Sequence, residues 1–220
     1  MIVGCILISL LFTYTDYKGY YKISVITKSC ATLSISILAN ICFINNPSNP
    51  SNYFILVLLA IIFGLVGDFF LALDNLCNET KTMFIMGLIA FLIGHVFYIL
   101  AFNFINPISI FDFIFSILFL GIAYLAYKKT KLELGNLKMG VFLYAMVISF
   151  MLGKATSILL LSQRNLLEIV IFVGALLFVL SDTALSFSIF GKENKKKLSV
   201  LCHILYFPAQ IILALSVLLY

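Results

Sequence analysis

Two aspartates, Asp68 and Asp182, stand inside long apolar runs, each introduced by a small residue, in GDFFLAL at 67–73 and SDTALSF at 181–187. An ionised carboxylate at bilayer depth costs at least ~2.5–3.5 kcal/mol on insertion scales, so both should face the protein interior or a wet cavity. Two neighbouring carboxyls in a low dielectric cannot both ionise easily; one keeps its proton while the other stays charged. An acid beside a base is the combination that general acid–base catalysis needs. The alternative is that each aspartate only caps or cross-links helices through hydrogen bonds.

Other polar residues could join them. Lys28 opens the second apolar run, where its ammonium either snorkels to the interface or binds a lipid phosphate near the acids. Tyr206 and Gln210 lie one helical turn apart, placed to share a face toward a substrate, the carboxylates or a neighbouring helix. His95, with Tyr98 nearly one turn on, falls roughly 10 Å beyond the aspartates by helix rise, a position for orienting a substrate rather than reacting with it. Lys154 is a further intramembrane charge without an evident role, while Asp112, Asp74 and Glu79 read as solvated. No H-E-x-x-H metal pattern, G-x-S-x-G nucleophile elbow or phosphate-binding glycine loop occurs, so the chemistry expected of these residues uses no cofactor. The five cysteines are scattered without a C-x-x-C pair and read as small hydrophobes.

The elements that must position these groups follow from composition. The 220 residues are 63% hydrophobic and 10% charged, with a mean hydropathy of +1.17, and belong in a bilayer. Apolar runs at about 1–14, 26–44, 53–73, 82–102, 108–127, 138–160, 166–190 and 198–219 predict an all-α, polytopic transmembrane bundle of eight helices forming a single domain over 1–220. The first run lacks a basic start and a cleavage site, so it reads as a retained short helix. The net charge of +5 lies in short loops without interleaved aromatics, which argues against a nucleic-acid partner. The basic loops are the odd-numbered ones, which places them in the cytoplasm and both termini outside it; in a bacterial cell this is the inner membrane. GDFFLAL and SDTALSF, with HVFY at 95–98 and HILY at 203–206, suggest a parallel repeat of four plus four helices with a site between the halves.

The ordered set FGLVGDFFLAL (63–73), GLIAFLIGHVFYI (87–99), GALLFVLSD (174–182) and LYFPAQ (205–210) resembles the YhhN-type membrane proteins, which include the lysoplasmalogenases. The likeness spans roughly the last seven helices. It implies an eight-helix fold and hydrolysis of the vinyl-ether bond of lysoplasmalogens (lysoplasmenylcholine or lysoplasmenylethanolamine) to a fatty aldehyde and a glycerophospho-head group. By the same resemblance, Asp68 and Asp182 are the catalytic acids, and Lys28, His95, Tyr98, Tyr206 and Gln210 line the pocket for a lysophospholipid. The chemistry suits two carboxyls: protonation of the alkenyl carbon gives an oxocarbenium ion, a nearby negative charge steadies it, and a carboxylate activates water to attack it. A proton-coupled transporter of small molecules or lipids would also use buried acids. An intramembrane aspartyl protease would need a tyrosine-aspartate companion to the glycine-aspartate of LVGD, and the sequence has none.

Overall fold

A chain in hydrocarbon has no water to satisfy its backbone, so each apolar run must close its hydrogen bonds within itself, which a single segment does as an α-helix. The structure, a computed structural model, describes residues 1–46, 50–76, 81–130, 132–191 and 194–220. Cys77, Glu79, Lys131 and Lys192 lie outside the described residues. Eight α-helices follow one another: α1 (Ile2–Tyr17), α2 (Tyr21–Asn45), α3 (Ser51–Leu76), α4 (Lys81–Asn103), α5 (Ile110–Thr130), α6 (Lys138–Leu161), α7 (Leu166–Phe190) and α8 (Lys195–Leu219). The described residues contain no strand.

Helices α2 to α8 are all long and apolar enough to cross a membrane, and the chain is an integral membrane protein. The 16 residues of α1 cover only about 24 Å at the α-helical rise, short of a ~30 Å hydrocarbon core. Several elements outrun the apolar runs that announced them. α2 begins at Tyr21 and α3 continues to Leu76, so Asp74 sits half-buried in the last turn of a helix and not in a loop. Hydropathy marks the part of a helix in hydrocarbon, whereas backbone hydrogen bonding carries on into the interface.

Packing closes a ring of six helices, α2 against α3, α3 against α4, α4 against α6, α6 against α7, α7 against α8, and α8 against α2. Outside the ring, α1 packs on α2 and α8, and α5 packs on α6 alone. Adding four to each helix number turns α2–α3 into α6–α7, α3–α4 into α7–α8, α1–α2 into α5–α6, and α2–α8 into α4–α6. These are the neighbour relations a repeat of four plus four helices requires. The contacts of α1 and α3 with α8 have no counterparts. Small side chains let the backbones approach: Ala31, Ala39, Ala60, Ala155, Ala175, Ala209 and Ala214 are at most 1% exposed.

Asp112 corrects the sequence reading. It is fully buried, with Lys154 Nζ 3.0 Å from its Oδ2, and it accepts further hydrogen bonds from Ser109 and Ser157. Lys154 Nζ also donates to the Asn106 carbonyl at 2.6 Å. The two charges that looked isolated neutralise each other and pin the start of α5, with the turn before it, onto α6. The reason is local: Ser109, just before α5, caps Asp112 through its backbone and side chain, while Ser157 and Lys154 of α6 cover the carboxyl from the other side.

Candidate functional site

Each of the six ring helices contributes a polar side chain to the interior. On α2, Lys28 and Thr32 are one turn apart and share a face. Lys28 Nζ lies 3.2 Å from Asp68 Oδ1, and Thr32 Oγ1 donates to Asp68 Oδ2 at 2.5 Å. From α8, the Tyr206 hydroxyl donates to the same oxygen at 2.8 Å. With three donors and 1% exposure, Asp68 is enclosed and fully occupied, an arrangement that suits its ionised form. Lys28 therefore turns inward, a correction to the snorkelling or lipid-phosphate alternatives, because an ionised carboxylate one helix away satisfies it better than the interface does.

A relay stands behind this pair. The Tyr98 hydroxyl on α4 donates to Gln210 Oε1 at 2.6 Å, and Gln210 Nε2 donates to the Tyr206 hydroxyl at 3.2 Å. Because the amide accepts at one end and donates at the other, the Tyr206 proton is left for Asp68. Gly64 on α3 makes room: a Cβ there would sit 2.8 Å from Gln210 Nε2.

Asp182 on α7 is held differently. A capping box, in which Asn165 and Glu168 exchange side-chain to backbone hydrogen bonds, fixes the start of that helix. The Tyr144 hydroxyl of α6 donates to Asp182 Oδ2 at 2.5 Å, and His95 Nε2 of α4 lies 3.8 Å from the same oxygen. Among the described residues Asp182 meets no lysine; it keeps 13% of its side chain exposed, facing a groove bordered by Leu71, Phe84, Phe91, Val141, Leu185 and Phe190. The cavity at its base is about 30 Å³, within a wider groove that opens to the outside. Leu71 and Leu185 are equivalent positions of the two similar motifs, three residues after each aspartate.

The two carboxyls belong to one assembly. The Phe178 ring joins their surroundings, packing on His95 at 4.6 Å and on Tyr206 at 5.4 Å between centroids. The structure thus brings together all seven residues singled out from sequence. It overturns the ~10 Å offset assigned to His95 by helix rise. Side chains lean toward the N-terminus of their own helix, and the N-terminal part of α4 lines the groove alongside the C-terminal parts of α3 and α7.

The YhhN family model matches residues 24–217. The chain belongs to the YhhN family. The matched span runs from within α2 to within α8, so it includes every YhhN motif residue named above and leaves out α1. No curated protein and no solved structure matches the chain.

Sequence reasoning missed Thr32 and Tyr144. Thr32 was within reach, since it stands one turn after Lys28 on the same helix. Tyr144 offered no signal beyond a hydroxyl in an apolar run, and only the packing of α6 against α7 assigns it to Asp182. Asp16 is a further carboxylate with polar company, near Ser24 at 3.3 Å, Ser199 at 3.4 Å and His203 Nδ1 at 4.0 Å.

Proposed function

We propose that this chain hydrolyses the vinyl-ether bond of lysoplasmalogens, with Asp182 as proton donor and Asp68 as its charged partner. The reading is carried by one contrast: of two carboxyls in one interior, one is ion-paired to a lysine and enclosed, and the other faces an apolar groove beside a phenol. Asp68, paired with Lys28, holds a fixed negative charge. Asp182 has neutral company, and its accessible edge lets it meet a substrate. The apolar walls of the groove suit an alkenyl chain.

In this mechanism the lysophospholipid lays its alkenyl chain along the groove, and Asp182 protonates the alkenyl carbon. Charge then develops on the ether side as an oxocarbenium ion, which the negative charge of Asp68 stabilises. Water attacks the cationic carbon, and the hemiacetal collapses to a fatty aldehyde and the glycerophospho-head group. Paired carboxyls divide the same tasks in glycoside hydrolysis. Lys28, Tyr98, Tyr206 and Gln210 keep Asp68 charged and in place, and His95 lies beside the reacting centre.

The test is aldehyde release from lysoplasmenylethanolamine and lysoplasmenylcholine by the detergent-purified protein. Asp182→Asn and Asp68→Asn should each abolish release while the protein still unfolds cooperatively. Full turnover in both variants would refute the mechanism, and proton-driven flux in liposomes without aldehyde would point to a transporter instead.

A further inference from the structure

His95 is committed at one ring nitrogen and open at the other. Its Nδ1 lies 2.6 Å from the Phe91 carbonyl, one turn back on α4. A carbonyl only accepts, so Nδ1 carries the hydrogen, and the neutral ring presents a lone pair at Nε2. That Nε2 is buried and has no hydrogen-bond partner among the described residues. Buried nitrogens are nearly always partnered, and an exception asks for a reason. Rotation is blocked, since the ring is clamped edge-on between Phe178 at 4.6 Å and Tyr144 at 5.4 Å. The lone pair is thereby held 3.8 Å from Asp182 Oδ2, in a residue only 1% exposed.

We propose that His95 is the base of the hydrolytic step, taking a proton from the attacking water and returning it to Asp182. The inference rests on the hydrolase reading above. Asp182 delivers its proton to the alkenyl carbon, whose π pair forms the new C–H bond, while an ether-oxygen lone pair makes the C=O⁺ bond. The water oxygen then bonds to the neighbouring carbon, the one that carries the ether oxygen, and its proton passes to Nε2. The imidazolium so formed faces the carboxylate that Asp182 has become, and the proton crosses the 3.8 Å between them through one bridging water to restore both groups. As the hemiacetal C–O bond breaks, its hydroxyl proton ends on the glycerol oxygen. The cycle consumes one water and no net proton, and it needs no oxidant or reductant.

Asp68 is the less suitable base. Its two oxygens are taken by Lys28, Thr32 and Tyr206, and accepting a proton would dismantle that arrangement. His95 has a vacant acceptor and nothing to release first.

Turnover in D2O separates this role from a structural one. Asp182 then delivers a deuteron, and an oxocarbenium ion that water captures slowly reverts to vinyl ether carrying deuterium at the alkenyl carbon. With the wild-type protein, capture outruns reversal and recovered lysoplasmenylethanolamine stays unlabelled. In His95→Phe, which keeps a ring between Phe178 and Tyr144, aldehyde release should fall about 10²-fold while recovered substrate gains deuterium. Asp182→Asn should give neither aldehyde nor label. Release at the wild-type rate, or slowed release without label, overturns the proposal; His95→Gln decides on the same readout if the Phe variant does not unfold cooperatively. A wild-type protein that releases no aldehyde fails the hydrolase reading itself, an outcome distinct from loss of the histidine's role alone.

Discussion

Lys28→Met removes the cation from the more enclosed of the two carboxylates. The ion pair is 3.2 Å long, with side chains 9% and 1% exposed, and removing one partner of such a pair costs about 3–5 kcal/mol because the other charge is left behind. Here the charge is not abandoned, since Thr32 and Tyr206 still donate to it, each such bond to a charged group contributing about 1.5–3 kcal/mol. Methionine also fills most of the aliphatic volume. The loss should fall at the lower end, about 3 kcal/mol. What strain remains is relieved when Asp68 takes up a proton, and a neutral Asp68 no longer stabilises the developing cation. The effect resembles loss of one preorganised electrostatic group, about 10²–10³ in turnover. Thermal unfolding in detergent and aldehyde release from lysoplasmenylethanolamine measure the two effects separately. Lys28→Met combined with Asp68→Asn removes both charges, so it should regain most of the lost stability and none of the activity. Wild-type turnover in Lys28→Met, or a double variant no more stable than the single, would refute this account of the pair.

Lys154→Met should destabilise by about 3–5 kcal/mol, because it strands buried Asp112, yet leave turnover per folded molecule unchanged; unfolding and activity measured on one preparation check both. Gly64→Ala sets two effects in opposition: alanine favours the helix by about 0.5–1 kcal/mol, but its Cβ would sit 2.8 Å from Gln210 Nε2 and 3.4 Å from the Tyr206 hydroxyl. Turning the amide away breaks its bonds to Tyr98 and Tyr206, at about 1–3 kcal/mol for buried groups left unpaired, so the variant should be net destabilised and slower in aldehyde release.

The helices were legible because hydrocarbon leaves a segment one way to satisfy its backbone, and the aspartates were legible because a carboxylate in such a run is too costly to be incidental. Partners were not. Whether Lys28 faces lipid headgroups or Asp68 depends on which side of α2 meets α3, and no pattern within α2 decides that. Asp112 and Lys154 could have been matched on charge alone, as one acid and one base, each without an evident counterpart. Position along the chain concealed it, since a residue in the first turn of a helix looks solvated until the neighbouring helix is seen packed against it. His95 was misplaced because distance along one helix was compared with distance along another, ignoring the lean of side chains toward the N-terminus.

The two carboxyls stand in matching motifs yet differ in their partners. α2 and α6 are equivalent by position, but α2 brings a lysine to Asp68 and α6 brings a phenol to Asp182. The histidines diverge as well. HVFY on α4 and HILY on α8 are equivalent, yet His95 points at Asp182 while His203 lies against Phe12 at 4.6 Å and 4.0 Å from Asp16. Phe12 and Asp16 both belong to α1, and the packing of α1 on α8 is one of the two contacts without a counterpart in the other half. With no helix packed on α4 as α1 is on α8, His95 stays with the interior groups. One peripheral helix thus accounts for much of the asymmetry, drawing one histidine outward while its twin remains beside the carboxyl that faces the groove.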